Sequence, residues 1–234
     1  MKQKKWNWQI GRCLLLRNSL TVLLKDLRLE FRTRYAMNAI ALFAITTLVT
    51  VGYSIAPVRL DDLVLAPLLW IIIFFSAMSA LSHVFVREEE QQTADTLRLL
   101  FKPEEILLGK WLFNILLLFA LNVLVVPLFF ALMNASVQNM AILLSIITLG
   151  SLALATASTI IGAIISIAGS RGALFAVLSF PIALPVLISA IHSTRLALTG
   201  APFSDCMADL KVLFSFTVVL FTASWMLFDF VWKK

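Results

Sequence analysis

Two histidines, His83 and His192, and two cysteines, Cys13 and Cys206, are the only imidazoles and thiols in this 234-residue chain. They do not suggest catalysis. The cysteines form no CxxC pair, and the histidines fall in segments expected on opposite faces of a membrane, so they cannot share a metal ion. There is no GxxxxGK[ST] loop, so the chain does not bind ATP by the P-loop route. No carboxylate pair faces a plausible pocket, which leaves an enzymatic reading without a constellation to carry it. Reactive side chains are concentrated instead in Arg87–Lys110, where 24 residues hold six acids and four bases. A passive connector between bundled helices needs about 2–8 residues. Within this segment Thr93 or Gln92 can cap a short helix through Phe101, with Leu97, Leu100 and Phe101 on its apolar face. Pro103 followed by Glu104 and Glu105 restarts a helix, because proline is tolerated in a first turn and acids suit the positive end of the helix dipole. The chemistry is that of a protein contact.

The elements that must position this loop are membrane spans. The chain is 61% apolar and only 14% charged, with a mean hydropathy of +0.96. Soluble domains run near 45–50% apolar and about 25% charged. Charge-free windows mark six helices, at about 35–56, 63–86, 111–133, 140–168, 172–191 and 212–232. The window between Lys110 and Arg171 has 60 residues, enough for two helices joined at the polar break Asn134–Asn139. Spans of this length cross a hydrocarbon core of about 30 Å. The fold class is therefore an all-α integral membrane protein.

Basic residues orient the spans. Of the nineteen lysines and arginines, sixteen fall on one side and only Arg59, Arg195 and Lys211 on the other. The positive-inside rule then puts both termini in the cytoplasm. Cys13 and Cys206 are separated by the bilayer under this topology, and no disulfide joins them. The polar N-terminus is not expected to be a cleaved signal. Residues 1–34 read as a basic tail and an amphipathic helix in the membrane interface, with an apolar stripe at Leu16, Leu20, Leu23, Leu27 and Phe31 and a basic row at Lys25, Arg28 and Arg32. The net charge of +6 flanks apolar spans and faces membrane lipid; no nucleic-acid surface is expected.

The membrane interior is nearly charge-free. Only Asp229 falls within a span, near its cytoplasmic end, so ion-driven transport has no machinery here. The energy for any transport must come from another polypeptide, and the 87–110 loop is its natural contact. The small residues Ser151, Ala155, Ser158, Thr159, Gly162 and Ser166 form a ridge for close helix packing, within the bundle or along a dimer seam. Pro181 and Pro185, four apart, are expected to kink the fifth span. His192-Ser-Thr-Arg195 is expected to end that span, with His192 as an interfacial cap or a candidate haem ligand on the outer face.

Six spans, an N-terminal amphipathic helix, a charged loop after the second span and no ATPase motif resemble the permease subunits of ABC exporters. Ser170–Ala190 resembles the cytochrome c biogenesis haem-exporter permease family (CcmB). Its members have a basic residue and glycine before the fifth span, matched by Arg171 and Gly172, then two prolines four apart, matched by Pro181 and Pro185. Thr93-Ala-Asp-Thr-Leu-Arg-Leu-Leu100 resembles the family's Ser/Thr-Leu-Glu-x-Leu-x-Leu-Leu segment, although Gln91-Gln92 stand where the family has Asp-Gly. The resemblance implies a role in cytochrome c maturation, as haem export or as ATP-driven release of a haem-loaded chaperone. It also implies ATP on a separate ATP-binding subunit, and two permease copies; that subunit is expected to dock on the charged loop at Thr93, Asp95, Leu97, Arg98, Leu100 and Glu104. The other implied partners are a haem-handling membrane protein, a small membrane peptide and a haem chaperone. Haem is then a transported or handled ligand rather than a resident cofactor. The location implied is the bacterial inner membrane. An exporter of lipid, drug or polysaccharide, or a non-transporting scaffold, is the alternative.

Overall fold

The computed structural model describes residues 2–55, 61–81, 84, 88, 93–167 and 173–232. Side chains are described from residue 14 onward within those ranges, except at 35, 36, 55, 80, 94, 95, 166, 167, 173–177, 231 and 232. Eight α-helices occupy the described residues, and none of these residues forms a strand. They are α1 (Lys2–Thr33), α2 (Tyr35–Ile55), α3 (Asp62–Leu81), α4 (Ala94–Leu100), α5 (Pro103–Met133), α6 (Met140–Ile167), α7 (Ala173–Thr199) and α8 (Met207–Trp232). A 3-10 turn, Phe203–Cys206, precedes α8. Six of the helices, all but α1 and α4, are long and apolar enough to cross a membrane.

α6 is central, packed against α5, α7 and α8, while α3 packs against α2, α5 and α7. The ridge of small residues explains this position. Ser151, Ala155, Ser158, Thr159 and Gly162 are all buried within the chain, so the ridge serves packing inside the bundle. Three polar pairs join α5 to α6. Trp111 Nε1 donates to Thr156 Oγ1 at 2.9 Å, Asn114 Nδ2 to Thr159 Oγ1 at 2.8 Å, and Asn122 Nδ2 to Ser151 Oγ at 2.6 Å. Such pairs hold helices together in lipid, where apolar surface alone provides little drive. The connection between α5 and α6 falls at the polar break. Asn134 ends α5 in the left-handed region with φ 49°, and Asn139 Oδ1 accepts from the Ile142 amide at the start of α6.

Three helix limits differ from the sequence expectation for a physical reason, among them the start of α8, at Met207 rather than near 212, where Asp209 is satisfied by His192 and Ser193 of α7. α5 begins at Pro103 rather than near 111, because Lys110 does not end the apolar helix. Its ammonium is buried with acidic partners, so residues 103–110 are the first two turns of a span and not part of a loop. α7 continues through His192-Ser-Thr-Arg195 to Thr199. Ser193 and Thr194 are buried there and bonded to Asp209 and Trp70, so these polar residues are satisfied within the bundle.

The N-terminal helix also has a face that its sequence pattern does not reveal. α1 lies along α5 with Ser19, Val22, Leu23, Asp26 and Glu30 buried, while Leu16, Leu20 and Phe31 of the apolar stripe are exposed. Contact is close because Gly109 has no side chain. A Cβ there would lie 2.7 Å from Val22 Cβ and 2.9 Å from the Ser19 carbonyl oxygen.

Candidate coupling site at the charged end of the bundle

The start of α5 determines the geometry of the charged end. Lys102, in extended conformation, precedes Pro103, and the Lys102 amide donates to Glu105 Oε2 at 3.0 Å. The same carboxylate reaches α1, where Asn18 Nδ2 donates to Glu105 Oε1 at 2.9 Å. Glu105 therefore caps one helix and fastens another to it.

One and a half turns later Lys110 is fully buried, with 0% exposure. Its Nζ lies 3.1 Å from Glu88 Oε1, 3.4 Å from Asp26 Oδ2 and 3.1 Å from the Val84 carbonyl oxygen. Lys25 Nζ pairs with the same Glu88 oxygen and stands 3.1 Å from Asp26 Oδ1. Thr93 Oγ1 donates to Glu88 Oε2 at 2.8 Å. Two ammonium groups and two carboxylates thus join α1, the segment before α4, and α5. A buried charge is tolerated only when paired in this way.

Burial alone would push the Glu88 carboxyl upward, but Lys110, Lys25 and Thr93 outweigh it and hold the carboxyl down at about 2, from an ordinary 4.5. Burial likewise pushes Lys25 down, and Asp26 and Glu88 outweigh it, so its ammonium titrates above the usual lysine range. Because Glu88 is depressed, its stabilisation is present above about pH 4.5 and is lost as pH falls toward about 2. Wild type is therefore expected to melt above Glu88→Gln at neutral pH, with more than half of that gap gone by about pH 3. A gap that stays constant from neutral pH to about pH 3 would show that Glu88 is not held by these charges.

α4 stands on this cluster. Leu97 is 5% exposed and packs with Ile106, Leu107, Ala163 and Phe228, with Phe101 and Trp225 at the edge of the group. The next turn points away, with Leu99 88% and Leu100 67% exposed. A two-leucine tip is thus mounted on a helix anchored to the ends of α5, α6 and α8.

The candidate residues separate accordingly. Thr93 makes no side-chain cap for α4 and bonds Glu88 instead. The Asp95 side chain is outside the described residues, although its backbone lies in α4. Leu97 faces inward and packs against Ile106, Leu107, Ala163 and Phe228. Arg98 is half-buried, and Leu100 and Glu104 are exposed. Arg171 and Gly172, like His83, lie outside the described residues. Pro181 and Pro185 lie inside α7 with exposed rings. His192 is at the opposite end of the bundle, remote from the coupling cluster. Its Nδ1 is 2.7 Å from Asp209 Oδ2, which also accepts from Ser193 Oγ at 2.6 Å. Among the described residues no group of three or more His, Cys, Asp or Glu is placed to hold a metal ion.

Asn18, Lys25, Asp26, Glu88, Glu105 and Lys110 form a unit that their spacing in the sequence does not reveal. One signal was available. Asp26 and Glu30, four apart, are the only acids in the first 34 residues, set among nine bases on a helix. Acids retained in such a segment point to a buried partner rather than to a lipid surface.

Among the described residues, a helical bundle with six apolar helices long enough to cross a membrane and a short anchored helix at its charged end defines a polytopic α-helical membrane protein. The pattern of the CcmB protein family matches residues 17–228, and the chain belongs to that family. No curated protein and no solved structure matches the chain at significance. The family comprises transport permease subunits, membrane components of ABC systems for haem export in cytochrome c maturation. Its members generally work with an ATP-binding subunit and other cytochrome c maturation proteins.

Proposed function

We propose that this chain is the permease subunit of a cytochrome c maturation complex of the bacterial inner membrane, with its charged end in the cytoplasm. A separate ATP-binding subunit seats on α4. Hydrolysis there moves α5 through the packing of Leu97 on Ile106 and Leu107 and through Glu88, which joins Lys110 to Thr93 at the base of α4, and haem or a haem-loaded chaperone is released on the outer side. Two permease copies stand over two ATPase copies. The haem-handling membrane protein, the small membrane peptide and the haem chaperone complete the complex, and His192 at the outer end is a candidate to face haem.

The observation that carries this reading is the pair Leu99 and Leu100, exposed on a helix whose inner face is fixed by Leu97. Two adjacent leucines held in water cost free energy unless a partner covers them, at roughly 1.5–3 kcal/mol per side chain. The double variant Leu99→Asp/Leu100→Asp is expected to lose co-purification with the ATP-binding subunit by about a hundredfold, with an unchanged melting temperature. Intact co-purification would sink the docking claim. Leu97→Asp is a poor probe of docking, since it puts a charge into the packed group and unseats α4. A deletion strain with a normal complement of c-type cytochromes would instead favour an exporter of another substrate.

A further inference from the structure

The outer side of α1 carries two adjacent rows. Leu16, Leu20, Leu24 and Phe31 are exposed, and Arg17, Arg28 and Arg32 are exposed beside them. On a helix that turns about 100° per residue the three arginines fall within about 60° of one another, directly flanking the leucine row. The remaining side of the helix, with Ser19, Val22, Asp26 and Glu30, is turned into the bundle against α5. None of the three arginines has an ion-pair partner among the described residues. α1 thus has three faces: one is covered, one is apolar and uncovered, and one is cationic and uncovered. An apolar row next to a cationic row matches a leaflet with acyl chains below and anionic headgroups above. Lys25, next on the same helix, is the residue that joins α1 to Glu88, and Glu88 is bonded to Thr93 at the base of α4.

We infer that the Arg17–Arg28–Arg32 row is a binding surface for anionic phospholipid, and that its occupancy is relayed through Lys25 and Glu88 to the coupling helix α4. The inference rests on the cytoplasmic placement of α1 proposed above. It requires no ATPase, so its test is independent of the docking reading. Seated lipid fixes the roll of α1 about its axis. That holds Lys25 on Glu88 and, through Thr93, steadies the first turn of α4.

The full chain is reconstituted in nanodiscs of phosphatidylcholine with or without phosphatidylglycerol. Lipid retained after release is weighed by native mass spectrometry, and amide exchange is followed over residues 94–100. Wild type is expected to retain phosphatidylglycerol over phosphatidylcholine. The triple variant Arg17→Gln/Arg28→Gln/Arg32→Gln should weaken that preference by roughly tenfold or more, and the triple Arg→Lys variant should keep most of it. Arg195→Gln/Lys211→Gln, on the opposite end, should leave it unchanged. Phosphatidylglycerol should slow exchange in α4 of wild type and not in the Gln variant. Equal retention by wild type and the Gln variant overturns the site. Preferential retention with α4 exchange indifferent to lipid overturns the relay.

Discussion

Replacing Lys110 with methionine is expected to destabilise the chain by about 3–5 kcal/mol. The length of the side chain is kept, so packing is not the main loss. What is lost is the central cation between Asp26 and Glu88, two buried carboxylates that then share only Lys25. One of them must take up a proton or open toward water, and opening parts α1 from α5. The double variant Lys110→Met/Glu88→Leu removes a charge of each sign. It is expected to recover a large part of the loss, since a buried pair replaced by apolar groups is often near neutral. Asp26 keeps Lys25 in that variant. Thermal unfolding in detergent is the measurement. A single variant within about 1 kcal/mol of wild type, or a double variant worse than the single, would show that the cluster does not hold the two helices together.

The cluster also shows where sequence reading stops. Charge-free windows mark the spans well because a lipid-facing helix tolerates almost no charge. Where a window closes on a charge with no ion-pair partner among the described residues, helix and window end together, as at Arg34 beside Tyr35. Where the charge is neutralised by residues distant in sequence, the window closes too early. Lys110 is paired with acids 22 and 84 positions away, and nothing local to Lys110 announces them. The same limit applies to the coupling helix. Leu97, Leu99 and Leu100 are equally apolar in sequence, and the arrival of Ile106, Leu107, Ala163 and Phe228 from other helices decides that Leu97 turns inward. On α1, Leu16, Leu20 and Phe31 of the apolar stripe and Arg28 and Arg32 of the basic row are exposed as their spacing suggests, whereas Leu23 is buried and Lys25 joins Glu88. The third face could not be read from spacing, because Ser19 and Asp26 are buried only by the approach of Gly109 and Lys110.

The charged end and the membrane interior are held by different kinds of joint. At the charged end the joints are ionic: they are few, directional and held by single residues such as Glu88, which serves α1, α5 and the approach to α4 together. Within the membrane the joints are hydroxyls, amides and close-packed small residues along α6.

The close packing on α6 leads to the second large expected effect, at Gly150. This glycine faces Trp70 of α3, and a Cβ at 150 would lie 2.3 Å from the indole Cη2 and 3.0 Å from Cζ3. The indole cannot step aside cheaply. Trp70 is 0% exposed, and its Nε1 donates to Thr194 Oγ1 of α7 at 2.8 Å. Any side chain at 150 must shift the ring, break that bond or separate α6 from α3. Over-packing costs about 1–3 kcal/mol, and a lost buried hydrogen bond adds about 1–3 kcal/mol. Gly150→Ala is thus expected to cost about 2–4 kcal/mol and Gly150→Val more, although glycine to alanine ordinarily stabilises a helix by about 1 kcal/mol. The opposite sign to helix propensity makes the test sharp. Melting temperatures of Gly150→Ala and of Gly150→Ala/Trp70→Leu should differ, with the smaller side chain at 70 relieving part of the strain. A Gly150→Ala variant that melts at or above wild type would mean that α3, α6 and α7 do not meet at this indole.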